Sequence, residues 1–464
     1  MRYLQQCILL YCVISTTIAS GQNWDSVGCG FNASVNTLYS DSTTSTLYAG
    51  GYFKYEMCDS TIVRRIAQFD GVKWDSVGSG WVNPSGPLQS ATVYNDKLYA
   101  QPIAYNAFTG LATLGEWDGT SWSEFALMNG GASNMEVLNG DLYVMGTFDS
   151  IGGIYAKYIA KWNGSEWIDL QFGDYAVDGY GIFDAAFYQG ELYVGGLFED
   201  TTHYTNIAKW DGSKWVTVAD GLGNGTFIGV NALEVYQNRL YIGGEFNKAN
   251  GNPGNNIISW DGNQWHELGD GVGGVLYPGV ASLQVHNDYL YAGGRFETAG
   301  DINAELIARW DGNQWCSLDA DFPTDKTVYV LEVHNDTLYV GGNFYWVDSI
   351  NVRYVAKYIG GEDLENCGAI NSISEIPQQT ISTFPNPFTT QTTITFQKPL
   401  FTTHNSQLHL FTPLGQKVSI KYSVTQNESK TIFHIDRGNL SSGVYFFQII
   451  SEEEIIASGK LVVQ

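Results

Sequence analysis

Positive charge is scarce in this sequence of 464 residues, which has 23 lysine and arginine side chains against 48 aspartate and glutamate side chains. The imbalance lies between residues 21 and 379, where 16 basic side chains accompany 43 acidic ones. So acidic a surface repels phosphate backbones and anionic lipid headgroups. The composition therefore argues against nucleic acid and anionic membranes as partners, and it is also that of an ordinary solubilising surface.

Long apolar runs are missing as well. The chain begins with Arg2, a short apolar run over residues 7–14, and the small residues Ala19-Ser20-Gly21. That run is too short to cross a bilayer. The pattern predicts a signal peptide over residues 1–21 and no transmembrane segment after it.

Familiar catalytic motifs are absent too. The sequence contains no Gly-x-Ser-x-Gly, His-Glu-x-x-His or Cys-x-x-Cys motif and no phosphate-binding loop. We therefore expect no cofactor and no catalytic residue. Calcium is the one cation left open, because carboxylate oxygens are the ligands it takes in proteins.

What the sequence does contain is an internal repeat. A Leu-Tyr pair recurs at intervals of 44 to 51 residues, at Leu47, Leu98, Leu142, Leu192, Leu240, Leu290 and Leu338. Around each pair, alternating apolar positions and Asp-Gly or Asn-Gly turns predict four short antiparallel strands. A four-stranded unit of this length is typical of one blade of a β-propeller.

The seventh copy lacks its outer strand, because no second tryptophan follows Tyr358. Near the mature N-terminus, Trp24-Asp25-Ser26-Val27-Gly28 repeats the sequence of residues 74–78. We therefore predict that this N-terminal segment supplies the missing strand. It would close the ring and cover the exposed sheet edge.

Over roughly residues 22–365 the chain resembles the kelch-like propellers, with repeats that read LYxGGxF…IAxWDGxxW. The resemblance implies an all-β fold with a seven-bladed β-propeller over residues 22–368. We expect the glycine pair of each repeat to admit an aromatic side chain from the next blade. The second repeat departs from the pattern at Tyr99-Ala100-Gln101-Pro102, and we expect an irregular strand there.

Four cysteines remain after the signal peptide: Cys29, Cys58, Cys316 and Cys367. An even number in an exported chain predicts disulfides, and four cysteines allow three pairings. In the repeat scheme Cys29 and Cys58 lie on the same face of adjacent blades. Cys316 begins the outer strand of the sixth blade, and Cys367 leaves the seventh blade near the opposite face. We predict the pairs Cys29–Cys58 and Cys316–Cys367; the alternative is four free thiols.

The repeat ends before residues 369–380, which are predicted to be a linker, and residues 381–464 are predicted to form a small immunoglobulin-like β-sandwich. Its candidate strands are Thr392–Gln397, Gln407–Phe411, Lys417–Tyr422, Thr431–Ile435, Val444–Ile450 and Ile455–Val463.

Three motifs in this segment resemble the C-terminal sorting domain of the type IX secretion system of Bacteroidetes. They are Phe384-Pro385-Asn386-Pro387, the Gly443 to Tyr445 segment, and Gly459-Lys460 with the apolar residues after it. The resemblance implies the type IX machinery as a partner and a secreted or outer-membrane-attached protein. An ordinary fibronectin-like appendage is the alternative.

Carboxylates recur at one level of the innermost strand. Counting six residues back from the Leu-Tyr pairs gives Glu136, Glu234 and Glu332, among uncharged residues in the other copies. Together they could hold a cation or sugar hydroxyls, and crowding would raise at least one pKa. Alternatively, they project into channel water and bind nothing.

Aromatic residues mark one face of the predicted propeller. The loops from strand two to three and from strand four onward share a face, and function concentrates on long loops held by a rigid scaffold. We predict that at least two of five aromatic residues there are exposed near the channel, and otherwise that the rings pack between blades. The five are Trp81, Tyr175, Tyr180, Phe227 and Tyr277.

The sequence thus favours an exported surface protein that binds an extracellular glycan or protein without catalysis. A secreted carbohydrate-active enzyme, a glycosidase or lyase, is the alternative, because a fold does not fix a function. A third reading is a purely structural surface component. A glycosidase needs two carboxyl groups about 5–10 Å apart across a cleft, which a single sequence cannot reveal.

Overall fold

The computed structural model describes residues 23–80, 86–102, 110–174, 176, 178–200, 205–222, 229–248, 254–360, 381–396, 407–412, 417–426, 430–451 and 454–464. The chain divides into two compact units, residues 1–368 and residues 369–464. The predicted signal peptide and the predicted linker lie outside the described residues, and so does Cys367.

The first unit is built from antiparallel sheets, of which seven follow the sequence repeat. Each has four strands, numbered here from first to fourth. The strands of sheet 1 are Val35–Asp41, Thr46–Gly51, Ile66–Phe69 and Trp74–Ser76, and those of sheet 2 are Leu88–Tyr94, Lys97–Pro102, Ala112–Trp117 and Trp122–Met128. The strands of sheet 3 are Ala132–Leu138, Asp141–Gly146, Ile159–Trp162 and Trp167–Asp169, and those of sheet 4 are Asp178–Tyr188, Glu191–Glu199, Ile207–Trp210 and Trp215–Thr217. The strands of sheet 5 are Gly229–Tyr236, Arg239–Glu245, Ile257–Trp260 and Trp265–Glu267. Those of sheet 6 are Gly279–His286, Tyr289–Arg295, Ile307–Trp310 and Trp315–Ser317. Those of sheet 7 are Val328–His334, Thr337–Gly342, Val355–Tyr358 and Trp24–Ser26.

Short elements decorate the loops of this unit. They are the hairpin Ser150–Ile151 and Ile154–Tyr155, which extends sheet 2, the strands Val272–Gly273, Thr298–Ala299 and Ile302–Asn303, the hairpin Trp346–Val347 and Ile350–Asn351, and the 3₁₀ turn Phe172–Asp174. Within the described part of the chain, no helix has the length and apolar character to cross a membrane.

Sheet 7 takes its fourth strand from the N-terminus, as the sequence predicts. Trp24 pairs with Tyr358, and Ser26 pairs with Ala356. The Trp24 ring is fully buried and packs edge-on against Phe322 and Tyr358. The strand therefore fills a hydrophobic gap and completes the backbone hydrogen bonding of the seventh sheet.

The glycine pairs bring neighbouring sheets together, but the expectation of an aromatic partner is wrong. A Cβ atom on Gly243 would lie 2.5 Å from the Val280 side chain in the first strand of the next sheet. A Cβ atom on the equivalent glycines would lie 2.3–2.7 Å from an aliphatic side chain of the next sheet. The pairs are Gly50 with Leu88, Gly195 with Val230, Gly293 with Val328 and Gly341 with Val35. The gap between sheets admits a branched aliphatic group and is too narrow for a ring.

The second repeat keeps its strand in spite of the missing glycines. Pro102 pairs with Leu88, and Gln101 takes the place of the first glycine. The Gln101 side chain is buried, and its Oε1 accepts a hydrogen bond of 3.0 Å from the backbone N–H of Ala132 in sheet 3. A small residue in the next sheet makes room for the longer side chain, so the expected irregularity does not break the ladder.

The tryptophan turns also join one sheet to the next. Asp118 accepts backbone N–H groups from Ser121 and Thr120 at 2.8 Å each, and these bonds lower the pKa of Asp118 to about 2. The indole N–H of Trp122 then donates to the backbone carbonyl of Val77, across the boundary with sheet 1. Trp315 donates in the same way to the sheet before it. These turns are therefore folding devices.

The disulfide prediction is confirmed for Cys29 and Cys58, which are bonded to each other. The bond ties the segment after the N-terminal strand of sheet 7 to the loop between strands two and three of sheet 1. Cys316 is also disulfide-bonded. Because Cys367 lies outside the described residues, the pair Cys316–Cys367 stays a prediction.

The first strands of the seven sheets contact one another in order, and the last of them contacts the first. Each contains a bulge: the register shifts between Val35 and Thr37 in sheet 1 and at the equivalent place in every other sheet. A bulge leaves one residue unpaired and turns its side chain out of the ladder. The seven first strands therefore surround a channel that receives extra side chains.

The second unit contains two four-stranded antiparallel sheets. One consists of Ile381–Phe384, Gln391–Phe396, Thr431–Asp436 and Lys421–Gln426, and the other of Lys417–Val418, Gln407–Phe411, Gly443–Ser451 and Glu454–Val463. Side chains of both sheets share one core that includes Ile394, Phe433, Leu410 and Phe447. The predicted single strand Lys417–Tyr422 is wrong, because this segment leaves one sheet after Val418 and joins the other at Lys421.

We expect Gly243→Ala to lower the free energy of unfolding by about 1–3 kcal/mol, because the added methyl group overpacks against buried Val280. Thermal melting of the full chain measures the effect. The control is Gly131→Ala, where the added Cβ meets no atom closer than 3.9 Å; it should stay within about 0.5 kcal/mol of the wild type. Equal melting of the two variants would contradict the packing argument.

Candidate functional site

The channel between the first strands is a cavity of about 450 Å³. Its wall includes the bulge residue of every sheet: Asn36, Gln89, Ser133, Phe183, Asn231, Ala281 and Tyr329. It also includes the three predicted carboxylates Glu136, Glu234 and Glu332, together with Asp184, which the sequence analysis missed. The cavity is therefore polar and acidic.

Asp184 and Glu136 form a carboxyl pair across the boundary between sheets 3 and 4. Asp184 accepts hydrogen bonds from the backbone N–H groups of Leu233 at 2.7 Å and Ala185 at 3.0 Å. The Asn134 amide donates to both carboxyl groups, at 2.8 Å to Asp184 and 3.0 Å to Glu136. Burial and the neighbouring Asp184 raise the pKa of Glu136 well above its ordinary value. Burial also raises the pKa of Asp184, but its hydrogen bonds with Glu136, Leu233, Ala185 and Asn134 oppose that shift. Of the two groups, Glu136 is therefore the one that favours the protonated form, with a hydrogen bond to Asp184.

Glu234 and Glu332 stand further around the channel. Burial raises the pKa of Glu234 to about 7 and that of Glu332 to about 8. Glu234 adds a smaller repulsion to Glu332, and one backbone hydrogen bond to each group opposes the shift. The expected crowding effect is present, with burial as its larger cause. At neutral pH the channel is much less charged than its composition indicates.

The channel carboxylates do not converge on a single point. Among the described residues, only one group of three potential metal-binding side chains has its ligand atoms within 4.8 Å of one another. It consists of Cys29, Glu56 and Cys58. Its two cysteines are joined in the disulfide. Glu136, Glu234 and Glu332 line the same cavity without forming a three-carboxylate cluster of that kind.

The structure describes two of the five aromatic residues predicted for the loop face, Tyr180 and Tyr277. Tyr180 is 67% exposed and Tyr277 is 72% exposed. Tyr180 lies at the start of the first strand of sheet 4, and Tyr277 precedes that of sheet 6 by two residues. Both therefore lie at the same end of the channel. Trp81, Tyr175 and Phe227 lie outside the described residues.

Sequence reasoning missed three further tyrosines at that end of the channel. Tyr52 and Tyr345 follow the second strands of sheets 1 and 7 and are 52% and 43% exposed. Tyr329 is the bulge residue of sheet 7 and lines the cavity. A tyrosine directly after the glycine pair, Tyr52, was the one local signal that could have indicated them.

In the second unit, the three sorting motifs lie together. The Asn386 side chain accepts a 2.7 Å hydrogen bond from the N–H of Val462 and donates one of 2.9 Å to the carbonyl of Lys460. Phe388 and Gln464 add backbone hydrogen bonds across the same edge. The segment containing Phe384, Pro385, Asn386 and Pro387 thus covers the free edge of the last strand, which would otherwise be open to pairing.

The glycine and tyrosine of the other two motifs have packing roles. A Cβ on Gly459 would lie 2.6 Å from the Phe447 ring, so only glycine fits opposite that buried side chain. The buried Tyr445 donates from its hydroxyl to the carbonyl of Ser441 at 3.0 Å and fixes the turn before Gly443. Lys460 is exposed. Most of the motif is therefore explained by the fold of this unit.

Residues 382–464 match the family described as the secretion system C-terminal sorting domain. The C-terminal segment is a sorting domain. It implies interaction with the type IX secretion machinery and indicates export to the cell surface or the medium. No curated protein matches the chain.

Two solved structures resemble the chain distantly. The Niastella koreensis GH74 enzyme is 13% identical with a TM-score of 0.33, over 72% of this chain and 61% of that one. The Pyrococcus horikoshii acylaminoacyl peptidase is 10% identical with a TM-score of 0.38, over 82% and 60%. The chain thus spans about three fifths of the length of each, and at these scores neither likeness bears on function.

The raised pKa values of Glu234 and Glu332 predict a pH-dependent stability. A carboxyl group whose pKa is higher in the folded than in the unfolded protein stabilises the fold while protonated, and this contribution is lost as pH rises through the folded value. We expect the melting temperature to fall from about pH 5 to about pH 9. Glu332→Gln should melt like the wild type at pH 5 and about 2–4 °C higher at pH 8.5, because the amide stays neutral. A Glu267→Gln control, at an exposed glutamate outside the channel, should follow the wild type at both pH values. If the difference in melting temperature between Glu332→Gln and the wild type were the same at pH 5 and pH 8.5, the raised pKa of Glu332 would be contradicted.

The Asn386 contacts predict a local effect in the sorting domain. Asn386→Ala leaves the N–H of Val462 and the carbonyl of Lys460 without side-chain partners, at a cost of about 1–3 kcal/mol. Hydrogen exchange at the Val462 amide of the full chain should speed up by about tenfold or more. Asn439→Ala removes an exposed asparagine from the same unit and should leave that rate unchanged. Equal rates in both variants would mean that the edge strand does not depend on the motif.

Proposed function

We propose that the chain is an exported, non-catalytic binding protein with a seven-bladed, kelch-like β-propeller and an immunoglobulin-like sorting domain. The seven repeated sheets, the cyclic contacts of their first strands and the N-terminal strand in sheet 7 support the propeller. The sorting domain supports delivery outside the cell. The ligand is an extracellular glycan or protein.

One observation carries the binding role: two large tyrosine side chains, Tyr180 and Tyr277, stand exposed at the same end of the channel. A soluble unit that needed these rings only for packing would bury them, because tyrosine is a large, mainly apolar side chain. Exposed rings beside a polar cavity offer flat apolar faces to a sugar or a partner side chain. The nearby oxygen atoms supply hydrogen-bond acceptors.

Absence of catalysis is part of the proposal. At the opposite end of the channel the hairpin turns are short, so their side chains cannot extend far over a substrate. The Asp184 carboxylate is held by the backbone N–H of Leu233, as the hydroxyl of Ser282 is held by that of Leu331 in another pair of sheets. This equivalence supports a structural role for Asp184, which links adjacent first strands.

A secreted carbohydrate-active enzyme, a glycosidase or lyase, is the second candidate. The observation in its favour is that Glu136 shares the Asn134 amide with Asp184 and has a raised pKa. A carboxyl group with a raised pKa is suited to general-acid work. In such an enzyme Glu136 would donate a proton to a leaving oxygen. Calcium stays a prediction from the sequence in either case, because the channel carboxylates form no three-carboxylate cluster among the described residues.

Retention of the full chain on a panel of immobilised polysaccharides tests the binding role. The double substitution Tyr180→Ala/Tyr277→Ala should weaken retention about tenfold without lowering the melting temperature, since both rings are exposed. The control is Tyr155→Ala, which removes a tyrosine that is 61% exposed and lies on a hairpin beside the fourth strand of sheet 2, away from the channel. A matching drop in melting temperature would show that Tyr180 and Tyr277 are packing residues.

The same panel separates binding from catalysis. A binding protein retains the polysaccharide and releases no new reducing ends or unsaturated sugars. Release of such products that stops with Glu136→Gln would replace the first proposal by the second.

A further inference from the structure

The exposed tyrosines at the junction of sheets 7 and 1 lie among positive charges. The Arg65 guanidinium lies 5.7 Å from the centre of the Tyr52 ring, and the Lys326 ammonium lies 5.2 Å from the centre of the Tyr345 ring. Arg65 also donates to the carbonyl oxygen of Tyr52, which fixes its position. Each cation is thus held against a ring that faces solvent.

Tyr329, the bulge residue of sheet 7, lies near one member of each pair. Burial raises the pKa of Tyr329, the charge of Lys326 lowers it, and Tyr52 raises it slightly, so all three groups lie within electrostatic reach. Tyr329 itself lines the cavity. Tyr52, Arg65, Lys326, Tyr329 and Tyr345 therefore lie at the same end of the adjacent sheets 7 and 1, beside the channel, and are called here the tyrosine–cation patch.

The charges of the patch are not neutralised by salt bridges. Among the described residues, neither Arg65 nor Lys326 has a carboxylate oxygen within 4.0 Å. Asp325 is next to Lys326 in the sequence, but its carboxylate lies 3.9 Å from Arg295. Between residues 21 and 379, where 43 acidic side chains accompany 16 basic ones, two cations stacked on exposed rings without a salt bridge stand out from their surroundings.

We propose that the tyrosine–cation patch binds an anionic polysaccharide, one whose sugars bear carboxylate or sulfate groups. The inference rests on the proposed binding role of this face and names the class of its ligand. Tyrosine faces pack against the C–H faces of sugar rings. Arg65 offers a planar fork to a carboxylate or sulfate, and Lys326 offers a mobile point charge. The acidic remainder of the unit repels the polymer and confines it to the patch.

Polygalacturonate is the probe for the test, with dextran as the neutral polysaccharide and poly-L-glutamate as the acidic peptide. We expect the full chain to bind polygalacturonate, and raising the salt from about 50 mM to about 500 mM should weaken that binding. Arg65→Gln/Lys326→Gln should weaken it about tenfold or more. Lys326→Gln alone should give a smaller loss in the same direction.

The matched control is Lys73→Gln/Lys97→Gln, which removes the same charge from the other end of the unit. Both lysines are exposed and form ion pairs there, with Asp75 and Glu116. The control should bind polygalacturonate within about twofold of the wild type. An equal loss in the control would mean that overall charge, not the patch, governs binding, and would overturn the proposal.

Three further outcomes also overturn it. Equal binding of poly-L-glutamate with the same sensitivity to Arg65→Gln/Lys326→Gln would make the ligand an acidic protein segment. Binding of dextran alone, lost with Tyr180→Ala/Tyr277→Ala, would leave the proposed function standing and remove the anionic class. Failure of the chain to bind any polysaccharide or protein would remove the proposed function together with this inference.

Discussion

The close approach between neighbouring sheets is the constraint on which the rest of the first unit depends. Gly243 and its equivalents have no Cβ, so the first strand of the next sheet can place Val280 or its counterpart directly against the backbone. Each hydrophobic cluster accordingly contains side chains of two adjacent sheets. No sheet is buried by itself, and the series is stable only when the last sheet meets the first. The N-terminal strand and the Cys29–Cys58 bond lie at that seam.

The same approach determines the character of the channel. Opposite the glycine pairs, each first strand bulges, and the displaced side chains enter a space bounded by seven strands. Carboxyl groups held there lose hydration, and Glu136 and Glu332 respond by holding their protons. The channel is therefore less charged at neutral pH than its composition indicates, and it contributes less electrostatic attraction. The side chains at the rim, by contrast, remain in water.

The sorting domain shows how a short motif can act through its own fold. Asn386 takes the place of a neighbouring strand, because its side chain forms hydrogen bonds with the N–H of Val462 and the carbonyl of Lys460 in the last strand. Gly459 leaves room for Phe447. The motif residues far apart in the sequence meet at one edge. The motif reads as a secretion signal in the sequence and as a set of structural contacts in the folded domain.

The sequence by itself determined the four strands of each repeat, the hairpin turns, the N-terminal supply of the seventh outer strand, the Cys29–Cys58 bond and the sorting domain. The sorting domain is indicated by the resemblance of its three motifs. The other features follow from local alternation, turn residues and repeat spacing. The tertiary structure alone decided that an aliphatic side chain lies against the first glycine of each pair, that Asp184 pairs with Glu136, and that Tyr52 lies near Tyr329. The bulges change the direction of side chains without changing the repeat, so counting residues finds Glu136 and misses Asp184. Tyr52 and Tyr329 belong to opposite ends of the repeat series, and only closure of the ring brings them together.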